Sequence, residues 1–318
     1  MHAAVLHALG QAPRYEEFAD PVAGDGEALV DVLAASLKPI DKQLASGTHY
    51  AKPRQLPCIC GTDGVGRLSD GSRVFFGGCR PPYGAMAQRT VVPRAYCFPV
   101  DDVVDDATAA ALPNPGISAW LTLSARAKLV AGENVLILGA TGVTGRLAVS
   151  IAKLLGAARV VAAGRNPQVL SSLLRVGADA TIQLDVPAAE LTEAFAREAG
   201  ASGFQVVIDY LWGAPTEAFV AAITRKEFAA VTSETRLVQV GESAGPTISL
   251  PAAALRSTPL TIMGTAGIPS RELLVDAMHQ VMAHAATGDL RIETERVPLA
   301  EVESAWHREG GRRIVVVP

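Results

Sequence analysis

The sequence predicts an α/β protein whose later part is a doubly wound parallel sheet, preceded by a turn-rich β region. Three observations predict this: a change of texture near residue 112, an alternation of apolar runs with helical patterns beyond it, and a glycine loop at the first strand–helix junction of that alternation. The 318 residues suit about two domains at ~150 residues each. With 49% hydrophobic and 19% charged residues, the chain has enough apolar surface to offset its ordering entropy, which excludes disorder as the dominant state.

Before residue 112, short apolar runs (Ala28–Ala34, Val74–Gly77, Ala85–Val92) alternate with Gly and Pro and read as strands. After it, strand-like runs fall at Asn134–Leu138, Arg159–Ala163, Ala180–Gln183, Gln205–Asp209, Arg236–Val240 and Leu260–Gly264. Between them, Arg146–Leu155, Gln168–Val176, Ala188–Ala199 and Pro215–Thr224 carry apolar residues three and four apart. Near-continuous apolar strands separated by amphipathic helices are βαβ units, whose parallel sheet is covered on both faces. The tail reads as a helix over Arg271–Ala285, a strand over Ile292–Val297, a helix over Leu299–Trp306 and a strand over Ile314–Val317.

The net charge is −4 and no basic block occurs, so neither nucleic acid nor an anionic membrane gains electrostatic support as a partner. The first residues lack the basic region of a signal peptide, and the long uncharged stretch between Asp106 and Arg126 is interrupted by Pro113-Asn114-Pro115-Gly116. A cytoplasmic protein with free Cys58, Cys60, Cys79 and Cys97 is therefore expected.

The glycine loop carries the first chemistry. Val135-Leu136-Ile137-Leu138 runs into Gly139-Ala140-Thr141-Gly142-Val143-Thr144-Gly145, and then into a helical pattern. A helix N-terminus offers free amides and a positive dipole end to an anion. Gly142 allows a pyrophosphate to approach, Gly145 allows helix and strand to pack closely, and Thr141, Val143 and Thr144 supply the loop's amides. A tight turn with no ligand is the alternative.

An NAD site has an acid about 20 residues further on to hold the ribose hydroxyl. Here Gly164-Arg165-Asn166 follow the second strand, and no acid occurs before Asp179. Arg165 suits a 2′-phosphate, which points to NADPH, although a solvated loop arginine would look the same.

The segments "AAALPNPGISAWLTL", "VLILGATGVTGRLAVSIAKLLGAARVVAAGRN", "VVIDYLWG", "RLVQVGESAG" and "GGRRIVVVP" together resemble the medium-chain dehydrogenase/reductase superfamily, and within it the zinc-free quinone oxidoreductase branch. The resemblance covers nearly the whole chain. It implies a split, mainly β (GroES-like) catalytic domain, residues 1–115 plus 268–318, around an inserted NADP-binding Rossmann domain, residues 116–267. It also implies a homodimer joined through the edge strand near Thr261–Gly264.

In zinc-dependent relatives the first zinc ligand, a Cys, falls near Pro39, and a Gly-His-Glu motif stands where this chain has Gly61-Thr62-Asp63. The four-cysteine lobe is missing and the six histidines form no ligand cluster, so no metal is expected. Without a Lewis acid an alkoxide lacks its stabiliser, whereas a quinone or enone delocalises the incoming charge itself. The expected activity is transfer of a hydride from NADPH to a small-molecule acceptor of that kind.

The resemblance also implies site residues. A motif like Asn-Pro-x-Asp lines the nicotinamide pocket in these enzymes and reads Lys38-Pro39-Ile40-Asp41 here. Lys38 either stabilises a developing anion or is a surface charge, and Asp41 fits a helix cap. Tyr50 either donates to the acceptor oxygen or is a half-buried loop aromatic, with His49 a weaker candidate beside it. Ser118 keeps the hydroxyl of a family threonine near the nicotinamide amide. Val240-Gly241 and Gly264-Thr265 lie at strand ends over the cofactor. Trp120, Trp212 and Trp306 read as core, with Trp212, just after the Asp209 strand end, the one that could instead line the pocket. Loops 46–56, 79–84 and 243–258 are expected to set acceptor choice.

Two alternatives stay open: a non-catalytic NADPH-binding sensor or scaffold, and an enoyl-thioester reductase. A short-chain reductase fails, since no Tyr-x-x-x-Lys pair exists.

Overall fold

The computed structural model describes residues 1–224, 234–265, 269–308 and 311–318. The chain divides into two compact units: Met1–Asn114 with Met278–Pro318, and Pro115–Ala277.

The first unit opens with β1 (His2–Leu6), β2 (Arg14–Glu17) and β3 (Glu27–Ser36), followed by α1 (Pro39–Ser46). Next come β4 (Cys58–Ile59), β5 (Asp63–Arg67), β6 (Arg73–Gly77), β7 (Arg89–Pro93), β8 (Cys97–Pro99) and α2 (Asp106–Ala111). β3 alternates buried and outward residues from Ala28 to Val32, the period of a strand with one wet face. Of the expected run 85–92, only Arg89–Pro93 is a continuous strand; Ala85 and Met86 instead bond Gly61 and Cys60 across the chain. In β5, a side chain at Gly66 would overlap Val30 and the Asp31 carbonyl, so glycine permits the close strand approach there.

The second unit contains α3 (Pro113–Leu121, whose first two residues precede the division), β9 (Asn134–Leu138), α4 (Val143–Leu154), β10 (Arg159–Gly164) and α5 (Pro167–Leu173). It continues through β11 (Ala180–Gln183), α6 (Ala188–Ala199), β12 (Val206–Asp209), α7 (Gly213–Ile223), β13 (Thr235–Gln239), α8 (Ala252–Ser257) and β14 (Leu260–Gly264). The six strands are all parallel, in the order β11-β10-β9-β12-β13-β14. Numbered within the sheet this is 3-2-1-4-5-6, the doubly wound Rossmann order, which reverses between β9 and β12. One face of the sheet buries Leu136, Leu138, Val161 and Val207 against Leu191 and Phe195 of α6 and Phe219 of α7.

Helix α9 (Arg271–Thr287) spans the division at 277/278, while the expected passage at 267/268 lies outside the described residues. β15 (Thr294–Pro298), α10 (Val302–Trp306) and β16 (Arg313–Val317) complete the first unit. β16 joins the seven-stranded sheet by pairing with β3, and Leu299, Val302, Trp306 and Val316 enter the core formed by Leu6, Val30, Phe76 and Met86. Among the described residues no helix is long and apolar enough to cross a membrane, and no group of three metal-ligating side chains is found.

Candidate functional site

The loops at the carboxyl ends of β9, β10, β12 and β13 converge. The Gly139 and Ala140 amides both donate to the Ala163 carbonyl, tying the glycine loop to the end of β10. Thr141 lies against Gly164 so closely that a side chain on Gly164 would overlap it. A Cβ on Gly139 would stand 3.2 Å from the Tyr210 Cβ, and one on Gly241 would stand 2.7 Å from the Tyr210 carbonyl. The Val240 and Gly241 amides donate to the Asp209 carbonyl at 2.8 and 3.1 Å.

Within the loop the two glycines differ. A Cβ on Gly145 would overlap the Gly139 carbonyl, so only glycine lets α4 begin against the loop. At Gly142 the nearest atom to such a Cβ is the Gly139 oxygen at 3.5 Å, which leaves open space beside the helix start. Gly142 is the N-cap of α4 and no side chain caps it, so the amides of Val143 and Thr144 are not taken by a cap. An uncapped helix N-terminus lined by glycine fits a dinucleotide pyrophosphate. Gly164 is buried, while Arg165 is exposed beyond β10. The Asn166 side chain caps α5 by accepting from the Val169 amide. Asp179, the first acid after the loop, bonds the Val160 amide and pairs with Lys153. Ser118 is half-buried on α3, Gly264 ends edge strand β14, and Thr265 is exposed.

Lys38 stands elsewhere, in the first unit, and the surface-charge reading of it is overturned: it is 1% exposed. Strand pairing explains how charges 25 and 275 residues away reach it. The β3–β5 register, Ala34 opposite Val65, brings Asp63 opposite Ser36, and the β3–β16 register, Val315 opposite Ser36, brings Arg313 opposite Lys38. Lys38 Nζ donates to Asp63 Oδ1 at 2.8 Å and to the Ser36 carbonyl at 3.2 Å, with Asp41 Oδ2 at 3.4 Å. Burial alone would lower the ammonium's pKa, but the Asp41 and Asp63 carboxylates raise it above its ordinary value, so Lys38 is charged. Asp63 is raised by burial against the pull of Lys38. Asp41 accepts from the Lys38 amide and from the Thr62 amide and hydroxyl, bracing the start of α1.

A cavity of about 500 Å³ borders this cluster, lined by Lys38, Lys42, Arg308, Arg312 and Arg313 with Glu295 the one acid among its lining residues. Tyr50 is not the half-buried aromatic of the alternative reading: it is 95% exposed, its ring 4.2 Å from that of His49. Trp120 and Trp306 are buried, and Trp212 packs partly against the sheet core with a left-handed backbone (φ 56°). Arg313 near Lys38, and Tyr210 beside the glycine loop, are residues that the sequence did not single out, and Asp63 stood there only as part of the Gly61-Thr62-Asp63 replacement of a zinc motif.

No family model matches the chain. Across the full length of both chains it is 27% identical to a probable NADPH-dependent quinone reductase of Emericella nidulans. The quinone oxidoreductase of Thermus thermophilus, solved also in complex with NADPH, is 27% identical and superposes with a TM-score of 0.82 over the whole of both chains. The Escherichia coli quinone oxidoreductase complexed with NADPH gives a TM-score of 0.85 at 21% identity, covering both chains in full. Over its whole length the chain is thus similar to quinone oxidoreductases of the medium-chain dehydrogenase/reductase superfamily. The Rossmann unit has the strand order in which a dinucleotide binds over the reversal, here between β9 and β12.

Proposed function

We propose that this chain is an NADPH-dependent reductase that transfers a hydride to a quinone or another activated carbonyl or alkene. The observation that carries the reading is the uncapped, glycine-lined start of α4 at the carboxyl edge of a Rossmann sheet. The full-length similarity to a probable NADPH-dependent quinone reductase supports the same cofactor and acceptor class.

In this reading the amides of Thr141, Val143 and Thr144 face the pyrophosphate past Gly142, whose own amide closes the loop on the Gly139 carbonyl at 3.1 Å, and the α4 dipole adds to their field. Gly164, Arg165 and Asn166 take the adenosine ribose end, with the exposed Arg165 guanidinium on the 2′-phosphate. Ser118, Val240, Gly241, Gly264 and Thr265 border the remainder of the dinucleotide. The chemistry that the nicotinamide supplies there is a hydride.

Lys38 is assigned to the acceptor side, as a fixed ammonium lining the cavity. Its N–H groups already meet Asp63 and Ser36, so it acts through its field and not by giving up a proton. Tyr50 offers an exposed phenol for the acceptor oxygen. We read the activity as metal-independent, because an ammonium, a threonine and carboxylates held by hydrogen bonds stand where a zinc site would need thiolate or imidazole. The half-buried edge strand β14 is the surface we assign to a homodimer.

The decisive assay mixes the protein with NADPH and a panel of quinones and enones and follows loss of nicotinamide absorbance. Turnover with at least one member is expected. Binding of NADPH without oxidation by any member would favour the sensor or scaffold reading.

A further inference from the structure

We propose that the phenol of Tyr210 forms a hydrogen bond with the dinucleotide bound at the glycine cradle, a role that rests on the cofactor reading above and adds a residue to it. Among the described residues, the Tyr210 hydroxyl is a buried oxygen with no hydrogen-bond partner. Leaving a buried hydroxyl unpaired costs about 1–3 kcal/mol, so such groups are rare and call for an account. The other buried unpaired side-chain atoms belong to Thr90, Ser257 and Arg313, none of which lies at the carboxyl edge of the Rossmann strands.

Tyr210 lies at that edge. It follows β12 directly, at the strand-order reversal, and its amide continues the ladder by donating to the Leu138 carbonyl at 3.1 Å. Strand alternation puts it on the face of Val206 and Ile208, opposite the one that buries Val207 and Leu211 with α6 and α7. Its Cβ abuts Gly139, the first glycine of the loop, and its backbone abuts Gly241.

The turn that presents it is rigidly braced. The Asp209 carboxylate accepts from the Leu211 amide at 2.8 Å, the Trp212 amide at 2.9 Å and the Thr216 hydroxyl at 2.6 Å. Ser243 Oγ donates to the Tyr210 carbonyl at 3.1 Å. Burial pushes the phenol's pKa up, so the group stays a neutral O–H, able to donate or accept, at any physiological pH. A hydroxyl held in place without a protein partner, on a residue packed against the glycine loop whose Gly142 leaves open space, is a preorganised ligand contact.

The test compares wild type with Tyr210→Phe in two measurements. One is equilibrium titration with NADPH by nicotinamide fluorescence; the other is thermal unfolding with and without NADPH. The expected result is an unliganded unfolding temperature equal to or above that of wild type, since the variant removes an unpaired buried group. NADPH should bind about fivefold to tenfold more weakly, and the rise in unfolding temperature that it causes should shrink accordingly. An unchanged NADPH affinity overturns the proposal, whether or not the unliganded variant is destabilised. Failure of the wild type itself to bind NADPH defeats the cradle reading, and this proposal with it.

Discussion

The glycine cradle after β9 and the charge cluster after β3 both sit at the ends of sheet strands, but they are made of different parts. The cradle is backbone: amides of residues 141, 143 and 144, with open space at Gly142 and the close start of α4 allowed by Gly145. The Lys38 cluster is side chain: an ammonium and a carboxylate from the start of α1, with a second carboxylate and a guanidinium brought to them by the registers of β5 and β16. A backbone site is written in consecutive residues and tolerates change around it. A buried charge cluster depends on every member, because each removed partner leaves another charge without compensation.

The sharpest break should come at Gly145. Gly145→Val drives a side chain into the Gly139 carbonyl and the Ala140 backbone, at a cost of about 3 kcal/mol or more. Equilibrium titration should show NADPH binding reduced by about a hundredfold or abolished. Gly142→Ala, with nothing nearer than 3.5 Å, should preserve the unfolding midpoint and so separate room for phosphate from room for helix packing.

In the other region, Lys38→Met leaves Asp41 and Asp63 buried without their cation and should cost about 3–5 kcal/mol in urea denaturation. Adding Asp63→Leu to that variant should recover part of the loss. A single-variant cost below about 1 kcal/mol, the range of a surface pair, would show that the cluster is not the desolvated unit described.

Arg165→Ala should weaken NADPH by about tenfold while leaving NADH nearly unchanged, as expected for one lost charge-assisted contact. Equal losses for both nucleotides would remove Arg165 from the cofactor preference.

The smallest effect concerns Asp105, which caps α2. Burial works against its carboxylate, but bonds from Thr108, Arg296 and the Ala107 amide hold its pKa below the ordinary 3.8. Its stabilisation is therefore present above that value and fades as pH falls through the lowered folded value. Asp105→Ala should lower the denaturation midpoint at neutral pH by the equivalent of about 1 kcal/mol, and the gap from wild type should narrow in strong acid.

Legibility followed the same division. The Rossmann unit was readable because its strands are continuous apolar runs; Asn134–Leu138, Ala180–Gln183 and Leu260–Gly264 coincide with the observed elements. Helix starts were less readable: α4 begins at Val143, three residues before the apolar pattern shows, because its first turn is the glycine loop itself. The expected strand Ala85–Val92 was only partly one, since an apolar run bonds equally well across the chain, as Ala85 and Met86 do to Gly61 and Cys60. Lys38 could not be placed from sequence. Its burial depends on Asp63 and Arg313, which only the registers of β5 and β16 bring to it. Tyr210 was passed over because an aromatic after a buried strand looks like core, and nothing in composition reveals an unpaired hydroxyl.

The central claim is that the start of α4 grips a dinucleotide, and equilibrium titration of the wild-type protein with NADPH and NADH tests it most directly. Saturable binding of NADPH, tighter than that of NADH, is the predicted result. A protein of native fold that binds neither nucleotide at saturating concentration would contradict the account.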